Sequence, residues 1–181
     1  MSTGGFMRHV ISILMANEAG ALVRVAGLFS QRGFNIETLN VGPTEDPTMS
    51  RLTLVTEGTE DVVDQINRQL LKLVDVIDVL DMTGDEHTEA ELALVKVRRD
   101  TADTSLETLA EGYDTTILSE ADGLTLLRFI GTGDALNAFV ARIEDAGLLV
   151  ELARSGAVTM TPGAAVLRYR SADMMAVAGQ G

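Results

Sequence analysis

Between His9 and Val41 the chain spells out a strand, a helix and a second strand joined by two sharp corners, and this stretch constrains the fold more than any other. The first strand runs from about Arg8 to Ala16. Val10, Ser12, Leu14 and Ala16 fall on one side, and His9, Ile11, Ile13 and Met15 on the other. Both sides are largely apolar, as in a strand covered on two faces. The run breaks at Asn17-Glu18-Ala19-Gly20. Leu22, Val25, Ala26 and Phe29 then recur at i, i+3, i+4 and i+7, which predicts a helix with one buried stripe. Asn17 stands where its side chain can accept the open amide protons of the first helical turn. Gly33 ends the helix, because its backbone enters the left-handed region without steric cost. A second strand follows from about Asn35 to Val41.

The remaining chain completes a unit and then repeats it. Gly42 to Pro47 reads as a loop from its turn residues. A third strand covers Ser50 to Thr56. Val63, Ile66, Leu70 and Leu73 recur at helical spacing, and Val76 to Met82 forms a fourth strand. The order is βαββαβ. Thr83 to Glu89 is polar, acidic and aperiodic, the signature of a linker. A second series follows: strand Glu91 to Arg98, helix Asp100 to Glu111 with Thr101 or Asp103 as cap, and strand Tyr113 to Ser119. After a turn at Asp122-Gly123 come strand Leu124 to Gly131, helix Gly133 to Ala146 and strand Leu148 to Leu152. Gly58-Thr59 precedes Val63, Ile66 and Leu70 by the spacing at which Gly131-Thr132 precedes Leu136, Phe139 and Ile143. The predicted fold class is α+β, two ferredoxin-like βαββαβ domains in tandem, at 7–82 and 90–160, joined by 83–89. The segment 161–181, with Pro162, Gly163 and the Met174-Met175 pair, has weak periodicity. It is expected to be a partly disordered tail, or one ordered by a partner. Met1 to Phe6 lacks the charged start and apolar middle of a signal peptide and, with a second methionine at Met7, reads as a flexible leader or an early start.

The chain has 181 residues, enough for two small domains that each bury a core. Its 14 Lys and Arg face 27 Asp and Glu, for a formal net charge of −13. Lys72 and Lys96 are the only lysines. A chain this acidic lacks the positive footprint that nucleic acid or an anionic membrane requires, so neither is expected as a partner. The apolar runs are of strand or short-helix length, and the leucine-rich stretch from Leu124 is interrupted by Arg128, which leaves no credible membrane span. The absence of cysteine excludes disulfide and thiolate chemistry. A cytoplasmic location is the simplest expectation.

Few residues offer catalysis. His9 and His87 stand apart with no carboxylate at ligand spacing, so no metal site is expected. No serine lies in a Gly-x-Ser-x-Gly elbow. Gly131-Thr132-Gly133 opens a helix but lacks the Lys-Ser/Thr of a phosphate loop, and it reads as a strand-to-helix turn. The first corner is different. Amides at a helix N-terminus suit a carboxylate, and Gly20 leaves room for close approach. Asn17 and Asn35 carry amide oxygens that can accept from an ammonium group, so the two corners could grip both ends of an amino acid. The same residues serve equally as a plain cap and a strand-entry turn.

Asn17-Glu-Ala-Gly20-Ala-Leu22 and Leu28-Phe29-Ser-Gln31-Arg32-Gly33-Phe34-Asn35-Ile36-Glu37 resemble the ACT domain, a βαββαβ amino-acid-sensing module. A longer set is similar to the small regulatory subunits of acetolactate synthase. It comprises Gly42-Pro-Thr44, Asp46-Pro47, Ser50-Arg51-Leu52-Thr53, Gln69-Leu-Leu-Lys72-Leu-Val-Asp75-Val76 and Glu151-Leu-Ala-Arg154-Ser155-Gly156. The resemblance spans about Met7 to Met160 and is strongest in the first domain. It implies a non-catalytic chain that binds the large catalytic subunit, raises its activity and makes it sensitive to branched-chain amino acids, usually valine, with leucine or isoleucine as alternatives. Thiamine diphosphate, magnesium and FAD are then expected on the catalytic subunit and no cofactor on this chain. The resemblance further implies a homodimer through side-by-side ACT domains with the effector at their interface. The effector-binding residues it implies are Asn17, Gly20, Ala21 and Leu22 at the first corner and Asn35 and Ile36 at the second. The competing readings are a free-standing ACT-type sensor acting on another target and a small enzyme in its own right. The Arg154-Ser155-Gly156 segment argues against the former. The lack of a nucleophile or a thiamine-binding Gly-Asp-Gly pattern argues against the latter.

Overall fold

The computed structural model describes residues 7–84, 86–99, 105–163 and 167. The leader Met1 to Phe6, the caps Thr101 and Asp103, and most of the 161–181 tail lie outside the described residues. The chain divides into two compact units, with the boundary between His87 and Thr88.

The first unit is built from β1 (Met7–Ala16), α1 (Ala21–Gln31), β2 (Ile36–Pro43), β3 (Met49–Gly58), α2 (Glu60–Leu70) and β4 (Val76–Asp81). The antiparallel sheet has the order β2-β3-β1-β4, so β1 is central, as its two apolar sides require. Ile11, Ile13 and Met15 face the helices and pack with Leu52, Leu54, Val63, Ile66 and Leu70. Val10, Ser12 and Leu14 are buried on the other side. The buried stripe of α1 is Ala21, Val25, Leu28 and Phe29. Leu22 is half-buried against the same core, so the stripe sits about one position back from the predicted one. The helix begins only at Ala21, and its first apolar contact is that residue.

Gly33 ends α1 as expected. Its φ is 71°. The Phe34 amide bonds the Phe29 carbonyl and the Gly33 amide that of Ser30, both at 3.1 Å, which closes the turn in a Schellman motif. The helix at the matching place in the second unit ends the same way. There the Leu148 amide bonds Ile143 O at 3.1 Å and the Gly147 amide bonds Glu144 O at 2.8 Å.

The second unit comprises β5 (Thr88–Arg98), α3 (Leu106–Ala110), β6 (Asp114–Ala121), β7 (Leu124–Gly131), α4 (Gly133–Asp145), β8 (Leu149–Arg154) and β9 (Val158–Met160). Its sheet order is β6-β7-β5-β8, with β9 paired to the start of β5. Phe129 and Phe139 stack at 5.4 Å beside Tyr113 in its core. Asp122 and Gly123 both have positive φ, 53° and 75°, as a tight two-residue hairpin demands.

Two boundaries differ from the sequence reading. Thr88 and Glu89, assigned above to the linker, pair with Met160 and Thr159 and open β5. Their partner β9 has three residues, too few to show a period. The described part of α3 covers only Leu106–Ala110, and its cap is Ser105, whose hydroxyl accepts from the Thr108 amide at 3.3 Å.

Candidate functional site

The first corner departs from the sequence reading in one respect. Asn17 does not cap α1. Its backbone amide bonds Thr48 O at 2.7 Å and its side-chain amide donates to Pro47 O at 3.0 Å. Asn17 therefore continues the line of β1 and is tied to the β2–β3 loop, too far back along the chain to reach the helix. The cap position is Gly20, with φ 89° and no side chain to accept. The Ala21 amide is taken by Glu18 O at 3.2 Å, whereas the amides of Leu22 and Val23 have no backbone acceptor. Two open amide protons at a helix N-terminus make the corner electropositive. Ala21 is buried, and Leu22 packs half-buried beneath the corner.

Arg24 and Asp75 belong to this corner and escaped the sequence reading. Arg24 lies one turn into α1, and its side chain runs back toward the N-terminus. A Cβ on Gly20 would stand 2.9 Å from Arg24 Nη1. Arg24 Nη2 donates to Asp75 Oδ1 at 2.7 Å, and Nε donates to the other oxygen. Asp75 is buried, and its carbonyl accepts the Ala16 amide at 2.8 Å. The hydrogen bonds from Arg24 hold the Asp75 carboxyl below the usual carboxylate range against the opposing effect of desolvation, and the same bonds raise Arg24. The guanidinium is thus fixed over Gly20. Helical spacing places Arg24 four residues after Gly20, but nothing in the sequence announces that Asp75 is its partner.

The second corner holds Asn35 and Ile36. Asn35 is exposed, and its carbonyl accepts the Thr56 hydroxyl at 2.6 Å. Ile36 is half-buried against the core.

Within one chain the two corners lie at opposite ends of the sheet. The first corner leaves β1 at Ala16, which is opposite Met49, while Ile36 is opposite Thr56. Met49 and Thr56 are seven residues apart on β3, roughly 23 Å at the rise of an extended strand. The whole of α1 separates the corners on the helical side. A single small ligand cannot touch both in one copy. The residues are complementary in chemistry but divided in space. β2, which carries the second corner, is an edge strand of the sheet.

Other candidates resolve as parts of the framework. The Gly133 amide is already occupied by Glu89 Oε1 at 2.8 Å, and the Thr132 hydroxyl accepts from the Ala135 amide at 3.2 Å. Gly131-Thr132-Gly133 is therefore a capped strand-to-helix turn whose anion comes from the chain itself. His9 is buried, with Nε2 3.3 Å from Gly58 O and Nδ1 3.1 Å from the Thr83 hydroxyl. It ties β1 to the end of β3 and to the turn after β4. Arg154 donates from Nε and Nη2 to the two Glu91 oxygens, each at 2.8 Å, and from Nη1 to Asn137 Oδ1 at 2.8 Å. The Ser155 hydroxyl accepts the Leu92 amide at 3.0 Å. Arg154-Ser155-Gly156 thus locks β8 to β5 and α4. Among the described residues no three His, Cys, Asp or Glu side chains gather as a metal site, and no helix is long and apolar enough to cross a membrane.

Comparison with known proteins covers nearly the whole length. Residues 11–78 match the family described as the AHAS small subunit-like ACT domain, and residues 90–163 match the small subunit of acetolactate synthase. The acetolactate synthase isozyme 3 small subunits of Salmonella typhimurium and Escherichia coli are each 44% identical to this chain, covering 90% of it and 100% of their own length. The acetolactate synthase small subunit of Haemophilus influenzae is 40% identical over 87% of this chain and 97% of its own. The crystal structure of the acetolactate synthase small subunit from Thermotoga maritima superimposes with a TM-score of 0.76 at 31% identity, over 88% of this chain and 99% of that one.

Proposed function

This chain belongs to the family of acetolactate synthase small subunits, and we propose that it is the non-catalytic regulatory subunit of that enzyme. In this role it activates a thiamine-diphosphate-dependent catalytic subunit and confers feedback inhibition by a branched-chain amino acid, L-valine first, with leucine and isoleucine as the alternatives. Thiamine diphosphate, magnesium and FAD reside on the catalytic subunit, and the assembly works in the cytoplasm.

One observation supports the sensing role: the open amides and Arg24 at Gly20 and the residues Asn35 and Ile36 stand at opposite ends of one sheet whose edge strand β2 pairs with no further strand among the described residues. Two copies related by a twofold axis and joined antiparallel along β2 bring the first corner of one beside the second corner of the other. The effector carboxylate then meets the Leu22 and Val23 amides and Arg24 Nη1 above Gly20. Asn35 of the other copy meets its ammonium end, and Leu22 and Ile36 line an apolar niche for the side chain. Such a niche discriminates one methylene by only about 1–3 kcal/mol, so several branched-chain amino acids are expected to bind with graded strength. Occupancy acts on the catalytic subunit only through unequal affinity for two arrangements of the dimer.

The test is the melting temperature of the purified chain with L-valine, L-leucine, L-isoleucine and D-valine in turn, followed by reconstitution with the catalytic subunit. A ligand that binds only the folded state raises the melting temperature by mass action. A rise with L-valine but not D-valine, together with stimulated and then valine-inhibited acetolactate formation, is the expected result. Acetolactate formation by this chain alone, or a reconstituted enzyme neither stimulated nor inhibited, overturns the proposal.

A further inference from the structure

The outer surface of the first unit carries a groove of about 540 Å³ between α1 and α2. Its charge runs against the rest of the chain. The net charge is −13, yet the groove is lined by Arg24, Arg32 and Lys72, with Gln31 and Gln69, and by no acidic side chain. The segment Ala21–Gln31 contains no acidic residue at all. The Arg24 charge is met by Asp75, but Arg32 and Lys72 have no carboxylate partner among the described residues. Gly27 lies on this surface, and a Cβ there would meet nothing within 4 Å. Apolar side chains accompany the cations. Val23 lines the groove with 72% of its surface exposed, and Leu71 and Val74, on either side of Lys72 and Leu73 in sequence, are 55% and 91% exposed.

We propose that this groove docks an acidic segment of the catalytic subunit, one whose carboxylates lie beside apolar side chains. The inference rests on the regulatory-subunit reading above and names the surface through which that regulation passes. The two cations without a carboxylate partner steer an acidic segment toward the groove, and the same groove of a second copy would meet them with like charge. The exposed valines and leucine set a protein segment apart from a free inorganic anion, which would gain nothing from them.

The experiment titrates native and charge-reversed chain, Arg32→Glu with Lys72→Glu, into the cognate catalytic subunit and follows acetolactate formation. Melting temperature and sedimentation of the variant alone are recorded alongside. The expected result is an unchanged fold and oligomeric state, with the concentration needed for half-maximal stimulation raised at least about tenfold. The native chain should also need a higher concentration as salt is raised. If the double glutamate variant fails to fold, Arg32→Gln with Lys72→Gln replaces it, and a smaller loss of stimulation together with a flatter salt dependence is expected. A correctly folded variant that stimulates at native concentration overturns the docking surface and leaves the regulatory reading standing. A changed oligomeric state overturns it too, because the groove would then join copies of this chain. Failure of the native chain to stimulate the catalytic subunit removes the regulatory reading and the docking surface together.

Discussion

Gly20 concentrates several constraints in one residue. Its φ of 89° is costly for any side chain, a Cβ would press on Arg24 Nη1 at 2.9 Å, and its surface is where the proposed effector carboxylate lies. Gly20→Asp should lower stability by about 1–2 kcal/mol through backbone strain and remove the melting-temperature response to L-valine, since the new carboxylate takes the guanidinium. Gly20→Ala separates the effects: it should carry the same strain and keep a weakened response. A normal response in the Asp variant would place the pocket elsewhere. The neighbouring Asp75 gives a pH test. Its folded carboxyl titrates below the unfolded one, so its stabilisation is complete above about pH 4 and disappears as pH falls through the folded value. Asp75→Asn should therefore unfold at lower urea near neutrality, with a difference from the native chain that shrinks as pH falls below about 4, and a difference that stays constant with pH would contradict this. In the second unit Glu91 is 1% exposed beneath Arg154. Arg154→Ala leaves that carboxylate buried and unpaired, at a cost of about 3–5 kcal/mol in urea unfolding, whereas replacing both residues by leucine should recover much of the loss.

At the scale of elements, the repeat legible in the sequence is a repeat of geometry, and its limits can be tested. Gly58 and Gly131 hold equivalent places before α2 and α4. A Cβ on Gly58 would reach Val63 at 3.6 Å, an ordinary contact, while one on Gly131 would fall 2.8 Å from Phe129 Cζ. The Phe129 ring is stacked on Phe139 and has nowhere to go. Gly58→Ala should be nearly neutral and Gly131→Ala should cost about 1–3 kcal/mol in urea unfolding. The strands and helices were readable because apolar period and glycine punctuation set them locally: β1, the Gly33 cap and the Asp122-Gly123 turn all fall where their residues predict. What was not readable depends on partners distant in sequence. Asn17 has the chemistry of a cap, but Pro47 and Thr48 claim it. Ser105 caps the described part of α3. β9 exists because the start of β5 offers it an edge, and Asp75 joins the first corner because the turn into β4 returns beside the end of β1. The candidate residues of the two corners are legible as a chemical set, but their separation along β3 follows from strand register, which one sequence does not display.

Under the proposed function, that separation makes a dimer, not the single chain, the unit that binds the effector. In a twofold dimer each of the two sites takes Asn17 to Leu22 from one copy and Asn35 to Ile36 from the other. Arg24→Ala removes the guanidinium from the first corner, and Asn35→Ala removes the side-chain amide from the second. Homodimers of either variant have two damaged sites and should give no melting-temperature response to L-valine. A mixed dimer is different: one of its sites carries both defects and the other carries none. Co-refolding equal amounts of the two variants should restore about a quarter of the native number of sites by random pairing, each with native affinity. Calorimetric titration reads this directly, because stoichiometry and affinity are separate parameters of the isotherm. If both corners belonged to a site within one chain, every copy in the mixture would be defective and mixing would restore nothing.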